Sequence, residues 1–403
     1  MSVYLIATCD TKGTEAEFLA QQLAGQGVPV RIVDTGCLGE CSIPVHISRE
    51  EVFEAAGTSL SKLVQQNNRG VAVEAAAQGV RALMLKAHAR GDLDGVLAIG
   101  GGAGTLIGTS PMRALPLGVP KLMVSTMAAG QVRPYVGDKD VVMLNSVVDI
   151  SGLNRISRPI LRNAAGAMAG MVRARQEAPK AQTDRPLIAA SMFGVTTPCV
   201  EQAREIFESA GFEVLVFHAT GIGGQTMEAL IREGLLAGVL DITTTELADE
   251  HVGGTLSAGP ERLRGAAATG LPQVVSVGAT DMVNFAARNT VPAAFKDRQL
   301  YTHNEQVTLM RTTAQECAAI GRIIGERLAD SKGPTTILLP SHGVSALDAE
   351  GQPFNDPTAR QELFAAIQEH CGSIPCETLP AHINDPEFAA TAAKKLLSLI
   401  PKI

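Results

Sequence analysis

The chain has 403 residues, which at about 150 per domain points to two or three compact domains, each able to bury a core. Hydrophobic residues at 45% and charged residues at 19% exclude a disordered chain. The 34 Lys and Arg against 41 Asp and Glu give a net charge of −7, with 3% aromatics and no Trp, so nucleic acid and anionic membrane are not expected partners.

The N-terminal stretch MSVYLIATCDTKGTE is a short apolar run followed at once by charge. Without a basic leader region or a cleavage site it is not expected to be a signal peptide. Residues 3–7 predict a strand, 14–25 a helix with Phe18, Leu19 and Leu23 on one face, and 28–33 a second strand. Residues 95–99, 121–124 and 141–144 predict three more. Short, continuously apolar strands between helices are the mark of a parallel sheet covered on both faces, hence an α/β doubly wound fold. The polar, Pro-containing stretch 173–185 is the best linker candidate.

After it the opening pattern recurs. A strand at 186–191, a helix at 198–210 ending at Gly211, and a strand at 213–217 repeat the plan of residues 5–33. Asp94-Gly95-Val96-Leu97 also resembles Ala237-Gly238-Val239-Leu240. The expected organisation is two tandem Rossmann-like domains with mostly parallel sheets, 1–178 and 186–403. Strands at 238–242, 273–277 and 336–339 and a helix over 308–327 complete the second. No run reaches about 18 apolar residues, so no membrane-spanning helix is expected. Seven scattered cysteines (9, 37, 41, 199, 317, 371 and 376) form no CxxC pair and predict reduced thiols and a cytoplasmic protein.

The loop Gly100-Gly101-Gly102-Ala103-Gly104-Thr105 follows a strand and opens a helix. Glycines bare the backbone N–H groups there, and the helix N-terminus adds positive partial charge, so the loop is a candidate anion cradle. It is neither a Walker A loop nor a clean GxGxxG at the first strand. A loop that merely lets helix and sheet approach closely is the alternative. The first strand ends in Thr8-Cys9-Asp10-Thr11-Lys12. Lys12 is a candidate phosphate partner, and Asp10 a candidate Mg²⁺ ligand through water. Helix capping by Asp10 or Thr11 is the alternative. Cys9 is a candidate low-pKa thiol or a small buried hydrophobe. Further polar residues close the other strands: Asp34-Thr35-Gly36, where Asp34 is placed to meet a ribose, Ser125-Thr126, and Asn145 to Asp149.

These stretches, with Val124 to Gly130, Tyr135-Val136-Gly137 and Ser146 to Asn154, resemble the ATP-binding domain family of the tomato mosaic virus resistance protein and its bacterial homologues. The resemblance runs through both halves. It implies a nucleotide-binding first domain, a second α/β domain and a homodimer; the antiviral role is not carried over. It makes ATP the expected cofactor, with Mg²⁺ as its companion. The expected binding residues are Thr8, Asp10, Thr11, Lys12, Thr35, Gly36, Gly100, Gly101, Gly102, Gly104, Thr105, Ser125, Thr126 and Asp149.

In the second half, predicted strand ends carry Glu246, Asp249, His251, Asp281 and His342, with His303 ahead of the expected helix. Gathered at one sheet edge, such groups could hold a divalent metal or act as acid and base; packing and capping explain any one of them alone. Glu246, Asp281, His303 and His342 are the candidate catalytic set, acting on an unidentified small-molecule substrate. Gly223-Gly224-Gln225-Thr226 is a second candidate anion seat, or a plain helix cap. Two competing functions stand beside nucleotide binding with catalysis: an ATP-responsive interaction protein, and a metal-dependent lyase or hydrolase of a small acid.

Overall fold

The computed structural model describes residues 2–37, 39–41, 43–177 and 185–401. They divide into two compact units, Met1–Gln182 and Thr183–Ile403.

The first unit runs β1 (Ser2–Ala7), α1 (Cys9–Ala24), β2 (Val30–Asp34), α2 (Arg49–Ala55), α3 (Leu60–Gln66), α4 (Arg69–Ala89), β3 (Leu93–Gly100), α5 (Gly102–Ala114), β4 (Lys121–Ser125), α6 (Arg133–Val136), β5 (Val142–Asn145) and α7 (Ser157–Glu177). Its five strands are all parallel, in the order β2-β1-β3-β4-β5. Alternation along the strands feeds two cores. Leu5, Leu97 and Leu122 pack with Leu19 of α1 and Met168 of α7, whereas Tyr4, Ile6, Val96 and Ala98 pack with Phe53, Val80 and Ile107 from α2, α4 and α5. The expected linker is helical up to Glu177, at the end of α7; residues 178–184 lie outside the described residues.

The second unit runs β6 (Leu187–Met192), α8 (Thr197–Ser209), β7 (Glu213–His218), α9 (Ile222–Arg232), β8 (Gly238–Thr243), α10 (Thr245–Val252), α11 (Gly265–Thr269), β9 (Gln273–Gly278), β10 (Met282–Phe285), β11 (Leu300–Asn304), β12 (Val307–Arg311), α12 (Ala314–Ala329), β13 (Thr335–Pro340), α13 (Pro357–His370), β14 (Cys376–Leu379) and α14 (Pro386–Leu399). Its main sheet is also parallel, ordered β7-β6-β8-β9-β13-β14. Thus β7-β6-β8-β9 repeats the arrangement of β2-β1-β3-β4, and β8 takes the place of β3, as the matching Gly-Val-Leu segments suggested.

The expected helix over 308–327 is corrected. Residues 307–311 form β12, the middle strand of an antiparallel sheet ordered β10-β12-β11, and the helix begins after Thr313. Thr313 and Glu316 make a reciprocal capping box that fixes this start.

Helix α5 lies so close to the sheet that a Cβ on Gly108 would sit 2.4 Å from Ala98 Cβ and 3.0 Å from Met123 Sδ. Gly108→Val should therefore overpack this seam and cost about 1–3 kcal/mol, read as a lower urea midpoint for the first unit's unfolding. An unchanged midpoint would contradict this seam.

Candidate functional site

In a parallel sheet ordered β2-β1-β3, the chain leaves β1 and β3 towards opposite sides, and the crevice beyond their carboxyl ends is where ligands of such folds bind. A cleft of about 250 Å³ opens there. Thr8, Asp10, Thr11 and Lys12 line it from the end of β1, Thr35 from the end of β2, and Gly101, Gly102, Ala103, Gly104 and Ile107 from the start of α5.

The four glycines of the loop divide by role. A Cβ on Gly100 would lie 2.6 Å from Gly104 Cα, and one on Gly104 would lie 3.2 Å from the Ile99 carbonyl. These two allow the turn to fold tightly on itself. Gly102 faces open space, and the nearest atom to a Cβ on Gly101 is Thr126 Oγ1 at 3.6 Å. Gly101 is the N-cap of α5, and no side chain caps this terminus. The first amides of a helix have no partner within it, so this end presents bare donors to the cleft. The close-approach reading fits Gly100 and Gly104, while Gly101 and Gly102 leave space on the cleft side.

The remaining expected residues support the cleft or lie away from it. Thr105 and Ser125 are buried and share a 2.6 Å hydrogen bond, while Thr105 Oγ1 also donates to the Gly101 carbonyl at 2.7 Å. They brace the loop from beneath. The Thr126 N–H donates to the Gly100 carbonyl at 3.3 Å, closing β4 against the same turn. Gly36 has no room for a Cβ, which would fall 2.6 Å from the Asp10 carboxylate. Asp149 is exposed and accepts the Ile150 N–H at 2.8 Å, away from the cleft lining.

Asp34, expected to meet a ribose, is engaged within the fold. Its buried carboxylate pairs with Arg49 at 2.7 Å and accepts the N–H groups of Cys9 and Gly36 at 3.0 and 2.8 Å. Lys12 lines the cleft, yet its Nζ donates to the Ile150 carbonyl at 2.7 Å. Glu15, one turn on, accepts the Gly152 N–H at 2.6 Å, so segments 10–15 and 150–152 clasp each other. Asp10 accepts the Gly39 N–H at 3.2 Å. Burial pushes the Cys9 thiol up, which makes it a small core residue rather than a reactive thiolate.

A second hollow of about 190 Å³ adjoins the cleft and shares Cys37, Arg69 and Ala72 with it. Leu63, Val64, Asn67 and Asn68 complete its largely apolar wall. Sequence reasoning missed this end. The Asn67-Asn68 corner does carry a local signal: Asn67 takes a left-handed conformation that ends α3, and Asn68 caps α4 through its side chain. That signal announces a turn between helices and nothing about a ligand.

In the second unit the four candidate catalytic residues have different surroundings. Glu246 is buried against Arg262, whose Nε donates to it at 2.6 Å; Arg262 also grips Asp241 and lies 3.7 Å from Glu228. Glu246 Oε1 accepts the N–H groups of Gly221 and Gly224 at 2.7 and 3.1 Å. The second glycine turn thus has an anion already, the chain's own carboxylate, and Thr226 is no cap there: it donates to the Ile222 carbonyl. Asp281 is buried, accepts from Ser345 Oγ at 2.8 Å, and is raised to about 7 by burial and by Asp348. His342 is exposed beyond β13, and His303 is exposed on β11. Among the described residues, no group of three or more His, Cys, Asp or Glu side chains is placed to hold a metal ion.

Sequence comparison covers both units. The N-terminal and C-terminal domain patterns of the uncharacterised protein family UPF0261 match residues 1–177 and 185–400. The chain belongs to this family. A UPF0261 protein of Clostridium tetani is 46% identical over 99% of both chains, and one of Mesorhizobium japonicum is 49% identical over 97% of both. The ToMV resistance protein Tm-1 of Solanum lycopersicum is 38% identical over 99% of this chain and 56% of its own length. The kinship expected from the motifs is therefore met. No helix among the described residues is long and apolar enough to cross a membrane.

Within the UPF0261 C-terminal domain, Arg262 is fully buried and holds three acids together. Arg262→Ala should leave those carboxylates uncompensated and cost about 3–5 kcal/mol of that domain's stability. Urea unfolding followed by circular dichroism checks it, and a loss under about 1 kcal/mol, typical of an exposed pair, would contradict it.

Proposed function

We propose that the first domain is an ATP-binding domain, with the phosphates seated on the Gly101–Gly104 turn and the base in the adjoining apolar hollow. The observation that carries this reading is the uncapped α5 N-terminus opening into the crevice between β1 and β3. A nucleotide has one strongly anionic end and one flat, weakly polar end. The bare amides suit the first, and the hollow beside Leu63, Val64 and Ala72 suits the second. Arg69 borders both hollows and is exposed, so its guanidinium can reach a phosphate without giving up a buried ion pair. Asp10, at the cleft wall, would hold Mg²⁺ through water once phosphate oxygens supply further ligands. The kinship with a plant resistance protein supports no antiviral reading for this chain. The arrangement of Glu246, Asp281, His303 and His342 lends no support to a single catalytic group in the second domain.

Gly102→Glu separates binding from folding. A Cβ there meets nothing within 4 Å, and an acidic side chain in the first turn favours a helix. The variant should keep the parent's unfolding midpoint and lose ATP affinity by about 100-fold or more, about 2.7 kcal/mol. Isothermal titration with ATP, ADP and AMP reads this. No heat with any of the three for the parent chain, or equal affinity for parent and variant, would refute the proposal.

A further inference from the structure

The second domain carries a different cavity, of about 350 Å³, lying off the carboxyl ends of β6 and β7. Its walls are Phe193, Val195, Leu256, Val307 and Leu309. The β11–β12 hairpin lines one side through His303, Asn304, Val307 and Leu309. Two imidazoles, His218 and His303, line the cavity while remaining solvent-exposed, so they stand at its mouth. His218 is held by Phe193, with ring centroids 5.3 Å apart. Beneath, the Phe193–Thr196 turn is fixed: the Val195 carbonyl accepts Asn384 Nδ2 and the Ala346 N–H, both at 3.0 Å. The cavity is therefore a built hollow at the end of the sheet where ligands of such folds bind.

The lining selects the ligand class. None of the described residues that line it is an acid, a lysine or an arginine. An ammonium would find no carboxylate, and a phosphate dianion would find no Lys or Arg fork. An apolar body gains from burial against the aliphatic walls, and an imidazole N–H can donate a hydrogen bond to a single negative charge. We propose that this cavity binds a small monocarboxylic acid with an aromatic or branched aliphatic body, its carboxylate set between His218 and His303. It gives a role to His303, one of the candidate catalytic residues, which lines this cavity.

The test uses the full chain and isothermal titration with phenylacetate and 3-methylbutanoate, with phenylacetamide as the neutral counterpart. At least one acid should bind once per chain, and phenylacetamide should bind at least about tenfold more weakly, a gap of about 1.4 kcal/mol. His218→Ala and His303→Ala should each weaken the acid by about tenfold, and Leu256→Trp, which fills the hollow, should abolish binding. All three should keep the parent's circular dichroism. Gly102→Glu should bind the acid as the parent does, because the nucleotide cleft is a different site. The proposal is overturned if neither acid binds up to about 10 mM, a weak limit near 2.7 kcal/mol, or if the amide binds as tightly as the acid. It is equally overturned if the histidine and Leu256 variants bind unchanged, or if Gly102→Glu loses the acid.

Discussion

A helix that begins on glycine leaves its first amides with no partner of its own. At α5 the loop offers no capping side chain, and Gly101 and Gly102 offer no bulk to shield those amides. Such an end must meet water or an anion. The surroundings are arranged to keep it open. Gly100 and Gly104 let the turn fold closely, Thr105 and Ser125 lock it from the buried side, and β1 delivers Thr8 to Lys12 to the facing wall. The proposed nucleotide site depends on this one unsatisfied backbone end more than on any side chain.

The second sheet shows the same strand plan with the opposite outcome. After β8, in the place of the glycine loop after β3, stand Thr244, Thr245 and Glu246, all buried. The nearby glycine turn at the start of α9 is satisfied internally by Glu246, which is itself neutralised by Arg262. Donors, acids and the guanidinium close on one another inside the domain. The hollow in this domain is instead apolar and displaced towards β6 and β7. One topology thus yields a polar cleft in one domain and an oily one in the other, because different residues follow the same strands.

Much of the architecture is legible in the residues. Leu93 to Ile99 reads as a buried strand because nearly every position is apolar or small, and Gly238 to Ile242 in β8 repeats the logic. The glycine loop is legible because no other residue type permits both the tight turn and the open amides. The antiparallel sheet is not legible in the same way. Val307 to Arg311 runs into a good helical sequence without a break, and only the Thr313–Glu316 capping box marks the boundary. The roles of polar residues at strand ends are legible least. Asp34, Glu246 and Asp281 look like site residues because they are acids at carboxyl ends of strands. Their partners, Arg49, Arg262 and Ser345, lie 15, 16 and 64 residues away in the chain, and only folding reveals that they are already engaged.

The most direct measurement of the central claim is a ¹H–¹⁵N correlation spectrum of ¹⁵N-glycine-labelled protein recorded while ATP is added. The account predicts that the amides of Gly101, Gly102 and Gly104 move progressively to saturation, while those of Gly221 and Gly224, already bonded to Glu246, stay in place. Unmoved Gly101 and Gly102 signals, or shifts confined to the second domain, would contradict it.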